Sequence, residues 1–192
     1  MKTYTLSTAA LLCAAIPTST HDAEQVTWGF GLNFYHKQPT TIIESWMEFK
    51  ASIISSTFVK AANKYAITSL SPVSWIPGCE SKEEINAIAR HAIIFDFDGD
   101  EDTGETANIP QIIDILTPYL NIAWSSYNDK VKGPRLRVFV PIKQVIDKPT
   151  WIANYKYRLP QWLASIGLSG GNKADKSCYN TFAQVGAAPS IN

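Results

Sequence analysis

Little cysteine, little histidine, no long apolar run and no excess of either charge mark this sequence, and each shortage removes a class of protein. The cysteines number only three, and Cys13, Cys79 and Cys178 stand far apart with no C-x-x-C pair. Neither a disulfide framework nor a zinc site is signalled, and a reducing compartment, the cytoplasm, is the expected location. His21, His36 and His91 lack the mutual spacing of metal ligands. No stretch approaches the ~20 consecutive apolar residues of a membrane-spanning helix, so no membrane partner is expected. Internal repeats and low-complexity tracts are missing too, and ordinary proportions of charged and apolar residues argue against wholesale disorder.

What is present fits a folded domain of 192 residues, long enough to bury a proper core. Acids and bases balance at 17 each, but they are unevenly placed. Residues 1–120 hold 14 acids and 7 bases, whereas residues 121–192 hold 3 acids and 10 bases. An acidic centre followed by a basic half suits metal ions beside a polyanion. The opening MKTYTLSTAALLCAAIPTST imitates a secretory leader, but Thr and Ser interrupt its apolar run and a single Lys precedes it. A first helix or strand is the expectation there.

Periodicity predicts the elements that follow. Val26 to Tyr35 alternates as a strand, and Thr41 to Ser55 carries helical spacing in Ile42, Ile43, Trp46, Phe49, Ile53 and Ile54. Ser81-Lys-Glu-Glu resembles a capping box and predicts a short helix running to Arg90. Ala92 to Phe95 reads as a buried strand and Asn108 to Leu120 as an amphipathic helix with Pro110 in its first turn. Asn121 to Trp124 and Leu136 to Ile142 read as strands, Pro149 to Ile166 as a long helix broken or kinked at Pro160, and Phe182 to Ala187 as a last strand. Trp151 and Trp162 lie on the apolar face of that long helix, and core packing is expected of them and of Trp28, Trp46 and Trp75. The order β-α-β-β-α-β from residue 92 is that of a split βαβ sheet with helices on one face, an α+β class.

The densest chemistry lies in HAIIFDFDGDEDTGE, residues 91–105, where six carboxylates follow an apolar strand. Asp96 and Asp98 are two residues apart, so on a strand they share a face and repel unless a cation sits between them. Hard divalent cations with oxygen ligands answer that need, Mg²⁺ in particular. Downstream, WSSYNDKVKGPRLRVFVPI places Ser125 and Ser126 at the end of one strand and Arg135 and Arg137 at the start of the next. Hydroxyl donors and planar cations are what a triphosphate needs. A solitary Asp175 and then Gln184 close the set.

IIFDFDG also looks like the first motif of haloacid-dehalogenase-type phosphatases, in which the first Asp, here Asp96, attacks phosphorus. That family has Thr after the Gly, where this chain has Asp100, and the extra acids would repel a phosphate ester. The three segments in order resemble the archaeo-eukaryotic primase superfamily, in its plasmid- and phage-borne replication branch. Its pattern is an apolar strand into DhDG, a Y-S-T-x-S-H-like segment with PRxRhhhP, and a lone Asp before S-R/Q-hhhh-P. Here these read IIFDFDG (93–99), WSSYND (124–129) with PRLRVFVPI (134–142), and AD (174–175) with AQVGAAPS (183–190).

The resemblance implies an RRM-like catalytic core over residues 71–192, with residues 1–70 as an N-terminal α/β part of one compact domain. Asp96, Asp98 and Asp175 match the acids that hold two Mg²⁺ or Mn²⁺ ions. Ser125, Ser126, Arg135, Arg137 and Gln184 match nucleotide-binding positions. Asp129 stands where the family has a phosphate-binding His, a contact that falls to Lys130 or Lys132 if it is kept. The implied activity is primer synthesis or extension on single-stranded DNA from nucleoside triphosphates, with a replicative helicase as a compatible partner. Lys143, Lys156, Arg158, Lys173 and Lys176 of the basic half are the expected template contacts. A catalytically weak, DNA-binding replication initiator is the remaining alternative, raised by Asp129.

Overall fold

The structure, a computed structural model, describes residues 25–31, 38–55, 69–100, 102–119, 121–125, 133–184 and 186–187. The opening segment discussed above lies outside these residues. The chain order begins β1 (Gln25–Gly31), β2 (Thr40–Ser45), α1 (Trp46–Ser55), β3 (Ser69–Ser71), β4 (Val73–Trp75) and β5 (Ala87–Phe97). It continues with α2 (Ile109–Leu116), β6 (Ile122–Ser125), β7 (Leu136–Ile146), α3 (Lys148–Thr150), α4 (Lys156–Ser165), α5 (Ser177–Asn180) and β8 (Gly186–Ala187). The class is α+β, with two antiparallel sheets in the orders β2-β1-β3-β8 and β4-β5-β7-β6.

The second sheet carries the acids. Its central strand β5 is fully buried from Ala92 to Phe95, as a strand covered on both faces must be. β5 and β6 both run antiparallel to β7, which lies between them. They are therefore parallel to each other and joined through α2, which is the split βαβ unit expected from the sequence.

Side-chain alternation then divides the core in two. Ile93, Phe95, Phe97, Val138 and Val140 meet Ile112 and Leu116 of α2 and Leu159, Trp162 and Leu163 of α4. On the other face, Ala92, Ile94 and Phe139 meet Val26 and Trp28 of β1 and Trp46, Phe49 and Ile53 of α1. Phe49 and Phe139 lie 4.7 Å apart between ring centroids at the centre of that second layer. Each large side chain so enclosed contributes about 1.5–3 kcal/mol. All six tryptophans are buried, Trp151 and Trp162 among them, as packing on a helical face requires.

Four expectations change. The helix expected over Thr41 to Ser55 begins only at Trp46, because the β-branched Thr40-Thr41-Ile42-Ile43 run pairs with β1 as β2. The capping box sits at that junction, not at Ser81. Ser45 Oγ accepts from the Glu48 N–H at 3.2 Å, and the Glu48 carboxylate accepts from the Ser45 N–H at 2.9 Å. After Ser81 there is only a 3₁₀ turn, Glu84–Asn86, before β5 starts at Ala87. Glu84 is drawn instead into tertiary contacts, accepting from the Phe182 N–H at 2.8 Å and pairing with Lys148 at 3.0 Å.

The last strand, reduced to Gly186–Ala187, joins β3 in the first sheet rather than β5. On the other side of β5 from β7 lies β4, which reaches it because the chain changes sheets at Pro72, between β3 and β4. The Pro72 carbonyl accepts from the His91 N–H at 2.8 Å, sealing the switch. The helical run does not stop at Pro160, which sits inside α4. Its irregularity comes earlier, in a π-helical turn over Trp151–Tyr155. Among the described residues no helix is long and apolar enough to cross a membrane.

Candidate active site

Asp96 is the penultimate residue of β5, on the same face as Ala92 and Ile94. Strand register sets Arg137 of β7 directly beside it, and Trp124 of β6 directly beside Arg137. One row across three strands thus reads acid, base, indole. The Arg137 guanidinium donates to Asp96 Oδ2. One row further out, Arg135 Nη1 donates to Asp98 Oδ2 at 2.9 Å. These four side chains are partly buried, between 13% and 22% exposed. The repulsion expected between the two aspartates is thus relieved by two arginines from the neighbouring strand. Asp96 Oδ1 is buried and has no hydrogen-bond partner.

Asp175 approaches by its backbone. Its N–H donates to the Asp96 carbonyl at 2.8 Å, while its own Oδ1 accepts from the Ser177 N–H at 2.7 Å. Next to it, the Asp96 N–H points at the Cys178 sulfur at 3.2 Å. Burial pushes the Cys178 thiol up to about 12, so it sits there as a neutral, inert group. Asp175 is exposed and shares a cleft of about 200 Å³ with Asp98, Asp102, Lys173 and Lys176.

Asp100, Asp102 and Glu105 belong to a closed loop beside this cleft. Asp100 donates its N–H to Glu105 O at 2.8 Å and accepts from the Gly104 N–H at 2.8 Å. The turn needs Gly99, whose φ is +88° and whose missing Cβ would lie 2.6 Å from the Glu105 oxygen. Lys173 Nζ sits 2.6 Å from the buried Asp100 carboxylate and 3.6 Å from Asp102. The hydrogen bond from Lys173 holds Asp100 below the ordinary carboxylate range, and the same bond holds Lys173 above the ordinary amine range.

Behind the loop of Asp175 lies a group the sequence did not single out. Arg90 is fully buried, and it donates to the carbonyls of Ala92, Cys178, Thr181 and Phe182 at 2.9–3.1 Å. Its guanidinium carbon lies 3.7 Å from the Trp151 ring centroid. Burial pulls its pKa down to about 9, which still leaves it protonated at neutral pH. Arg90 therefore clamps residues 178–182 against β5 beyond the short stretch that β4 covers, and with them the segment that carries Asp175.

The other expected site residues divide. Gln184 is buried and joined to Arg90 at 3.5 Å and to the Cys178 sulfur at 3.7 Å, not to Arg135 or Arg137. The Ser125 backbone pairs with Leu136 at the end of β6, while Ser126, Asp129 and Lys130 lie outside the described residues. Lys173 and Lys176 border the cleft. Lys143 is exposed on β7, six residues from Arg137 and so about 20 Å along the strand. Lys156 and Arg158 belong to α4, in the helical layer.

Among the described residues, no three His, Cys, Asp or Glu side chains are gathered closely enough to hold a metal ion. The donor chemistry nevertheless suits a hard divalent cation: carboxylate oxygens only, with Asp96 Oδ1 buried and unpartnered, and Asp98 facing Asp175 across one cleft. Sequence reasoning missed the arginine–aspartate pairing, though a signal for it was present. Two acids and two bases, each spaced by two residues on neighbouring strand ends, make a cross-strand ladder whenever the register aligns them. Comparison of the chain with protein-family models, with curated proteins and with solved structures found no match.

Proposed function

We propose that this chain is a nucleotidyltransferase of the archaeo-eukaryotic primase kind, starting or extending primers on single-stranded DNA in plasmid or phage replication. The observation that carries the reading is the row at the end of β5 and β7. Two acids share one face, two arginines stand opposite them, and a third acid is tied by its backbone to the first. Asp96, Asp98 and Asp175 are the residues to hold Mg²⁺ or Mn²⁺. When bound, such ions ease attack by a 3′-hydroxyl on the α-phosphate and neutralise the departing pyrophosphate.

The chain's own part is positioning and charge. Arg135 and Arg137 bind the triphosphate oxygens with planar, bidentate geometry, and their partial burial strengthens that contact. Lys176 at the rim and the exposed Lys143 attract the template backbone, with Lys156 and Arg158 of α4 adding to the positive field. No observation favours the phosphatase alternative: Asp96 faces a guanidinium, and Asp100 occupies the position where that family has Thr.

The test is incorporation of labelled nucleotides on a single-stranded template with Mg²⁺ or Mn²⁺, comparing wild type with Asp98→Ala. Template-dependent incorporation that falls at least ~100-fold in the variant is expected. No incorporation with either metal sinks the proposal, and release of phosphate from a simple ester without template favours the phosphatase. Template binding without incorporation favours the initiator.

A further inference from the structure

A buried indole N–H needs an acceptor, and most of the tryptophans here have one. Trp28 donates to Glu44 at 2.7 Å, Trp75 to Ser71 at 3.0 Å and Trp151 to the Tyr179 carbonyl at 3.2 Å. Trp124 differs. It is only 8% exposed, its Nε1 is buried, and that N–H meets no acceptor among the described residues. We infer that Trp124 is a ligand-binding residue, whose indole N–H donates to a phosphate oxygen of the bound nucleotide beside Arg137. The inference rests on the proposed function for the identity of the ligand. The donor itself rests on the row across β5, β7 and β6.

Register decides what Trp124 can find inside the protein. Its cross-strand partner is Arg137, and directly opposed residues share one face of the sheet. Arginine and tryptophan side chains only donate, so neither satisfies the other. The core layer that holds Trp124, with Ile94, Ile122 and Phe139, is apolar. The unpartnered acceptor of the row, Asp96 Oδ1, is two strands away, about 10 Å between backbones.

A neutral N–H next to a guanidinium is a combination that suits an oxyanion. Its oxygen has lone pairs for both donors, and both bonds are charge-assisted. Trp124 stands on the opposite side of Arg137 from Asp96, so an anion on the β6 side meets the cation before it meets the carboxylate. The Arg137–Asp96 pair stays closed in this arrangement, because the bond to Trp124 is added to the existing contacts and replaces none of them. No metal ion is required for it.

Trp124→Phe keeps an aromatic ring in the layer and deletes the donor. Calorimetry with inorganic tripolyphosphate in chelator should show binding about tenfold weaker for this variant than for wild type. Trp28→Phe is the control. Trp28 lies in the same core layer, but its N–H is already bonded to Glu44, so the affinity should change less than about twofold. A second readout uses the wild type alone and does not depend on how a variant folds. The Trp124 indole N–H resonance, assigned in the wild type, should move downfield when tripolyphosphate is added, while that of Trp28 stays in place. Unchanged affinity in Trp124→Phe, an equal loss in Trp28→Phe, or a Trp124 resonance that does not move overturns the inference. Neither readout requires polymerisation. Failed incorporation with a Trp124-dependent tripolyphosphate site removes only the proposed function, and incorporation with a Trp124-independent one removes only this inference.

Discussion

Arg90 is the residue on which most of the cleft's scaffold converges. It serves four backbone carbonyls, three of them (Cys178, Thr181 and Phe182) outside any strand, so its removal orphans acceptors in the core. Arg90→Met should destabilise the protein by about 3 kcal/mol or more in urea unfolding, and Arg90→Lys should recover little, because an ammonium cannot span the fork. A loss below about 1 kcal/mol would show that the carbonyls find other donors. Lys173 and Asp100 make a second residue-scale claim, with a pH signature. Asp100 is held below its ordinary 3.8 and Lys173 above its ordinary 10.5. Their mutual stabilisation is full between those values, is lost as pH falls through the lowered Asp100 value, and is lost again as pH rises through the raised Lys173 value. Melting of wild type and Lys173→Gln should therefore differ by a constant amount from about pH 5 to pH 9 and converge in strong acid; a difference that persists unchanged in acid would deny the pair. Asp96 and Asp98 were legible in the sequence because an apolar run ending in D-x-D fixes their shared face. Arg90 was not, since a charged residue in NAIARHAII reads as a solvated helical position until a buried strand is seen to need it.

At the scale of elements, two stretches carry the same S-x-x-E signature and only one caps a helix. Ser45 and Glu48 exchange hydrogen bonds at the start of α1, and those bonds lower the Glu48 pKa. Ser81 instead accepts from the Asn86 side chain at 2.8 Å, and Glu84 reaches across to Lys148 and Phe182. Ser45→Ala should cost about 1 kcal/mol in chemical unfolding, and Ser81→Ala less than about half of that; equal costs would contradict the difference in roles. The pattern alone could not choose, because a capping box stabilises a helix only where the following residues are not claimed by a sheet. The residues after Ser81 were claimed: Ala87 to Phe97 pairs with β4 and β7 over its length. The βαβ order was legible because the apolar face of α2 and the short strand after it have distinct periods. The partner of the last strand was not, because a two-residue strand carries no periodicity and its place beside β3 follows from long-range pairing.

The whole molecule sets an acidic cleft within a chain of zero net charge, and the bases that balance it are not equivalent. Lys176 is exposed at the cleft, whereas Lys173 is engaged with Asp100 and Asp102. If single-stranded DNA crosses this rim, Lys176→Gln should reduce the salt slope of binding by about 0.7 while Lys173→Gln leaves it nearly unchanged; equal reductions would place both lysines on the template. The central claim is that three acids from two distant parts of the chain make one nucleotidyl-transfer site. Asp175 tests it best, because its side chain is exposed and its backbone, not its carboxylate, bonds to Asp96. Asp175→Asn keeps the shape and the docked backbone while removing the charge. The decisive measurement is extension of a primed single-stranded template with Mn²⁺ by wild type and by folded Asp175→Asn. The account expects template-directed extension by wild type and a loss of at least ~100-fold in the variant. Extension by Asp175→Asn at the wild-type rate, or none by wild type, would contradict it.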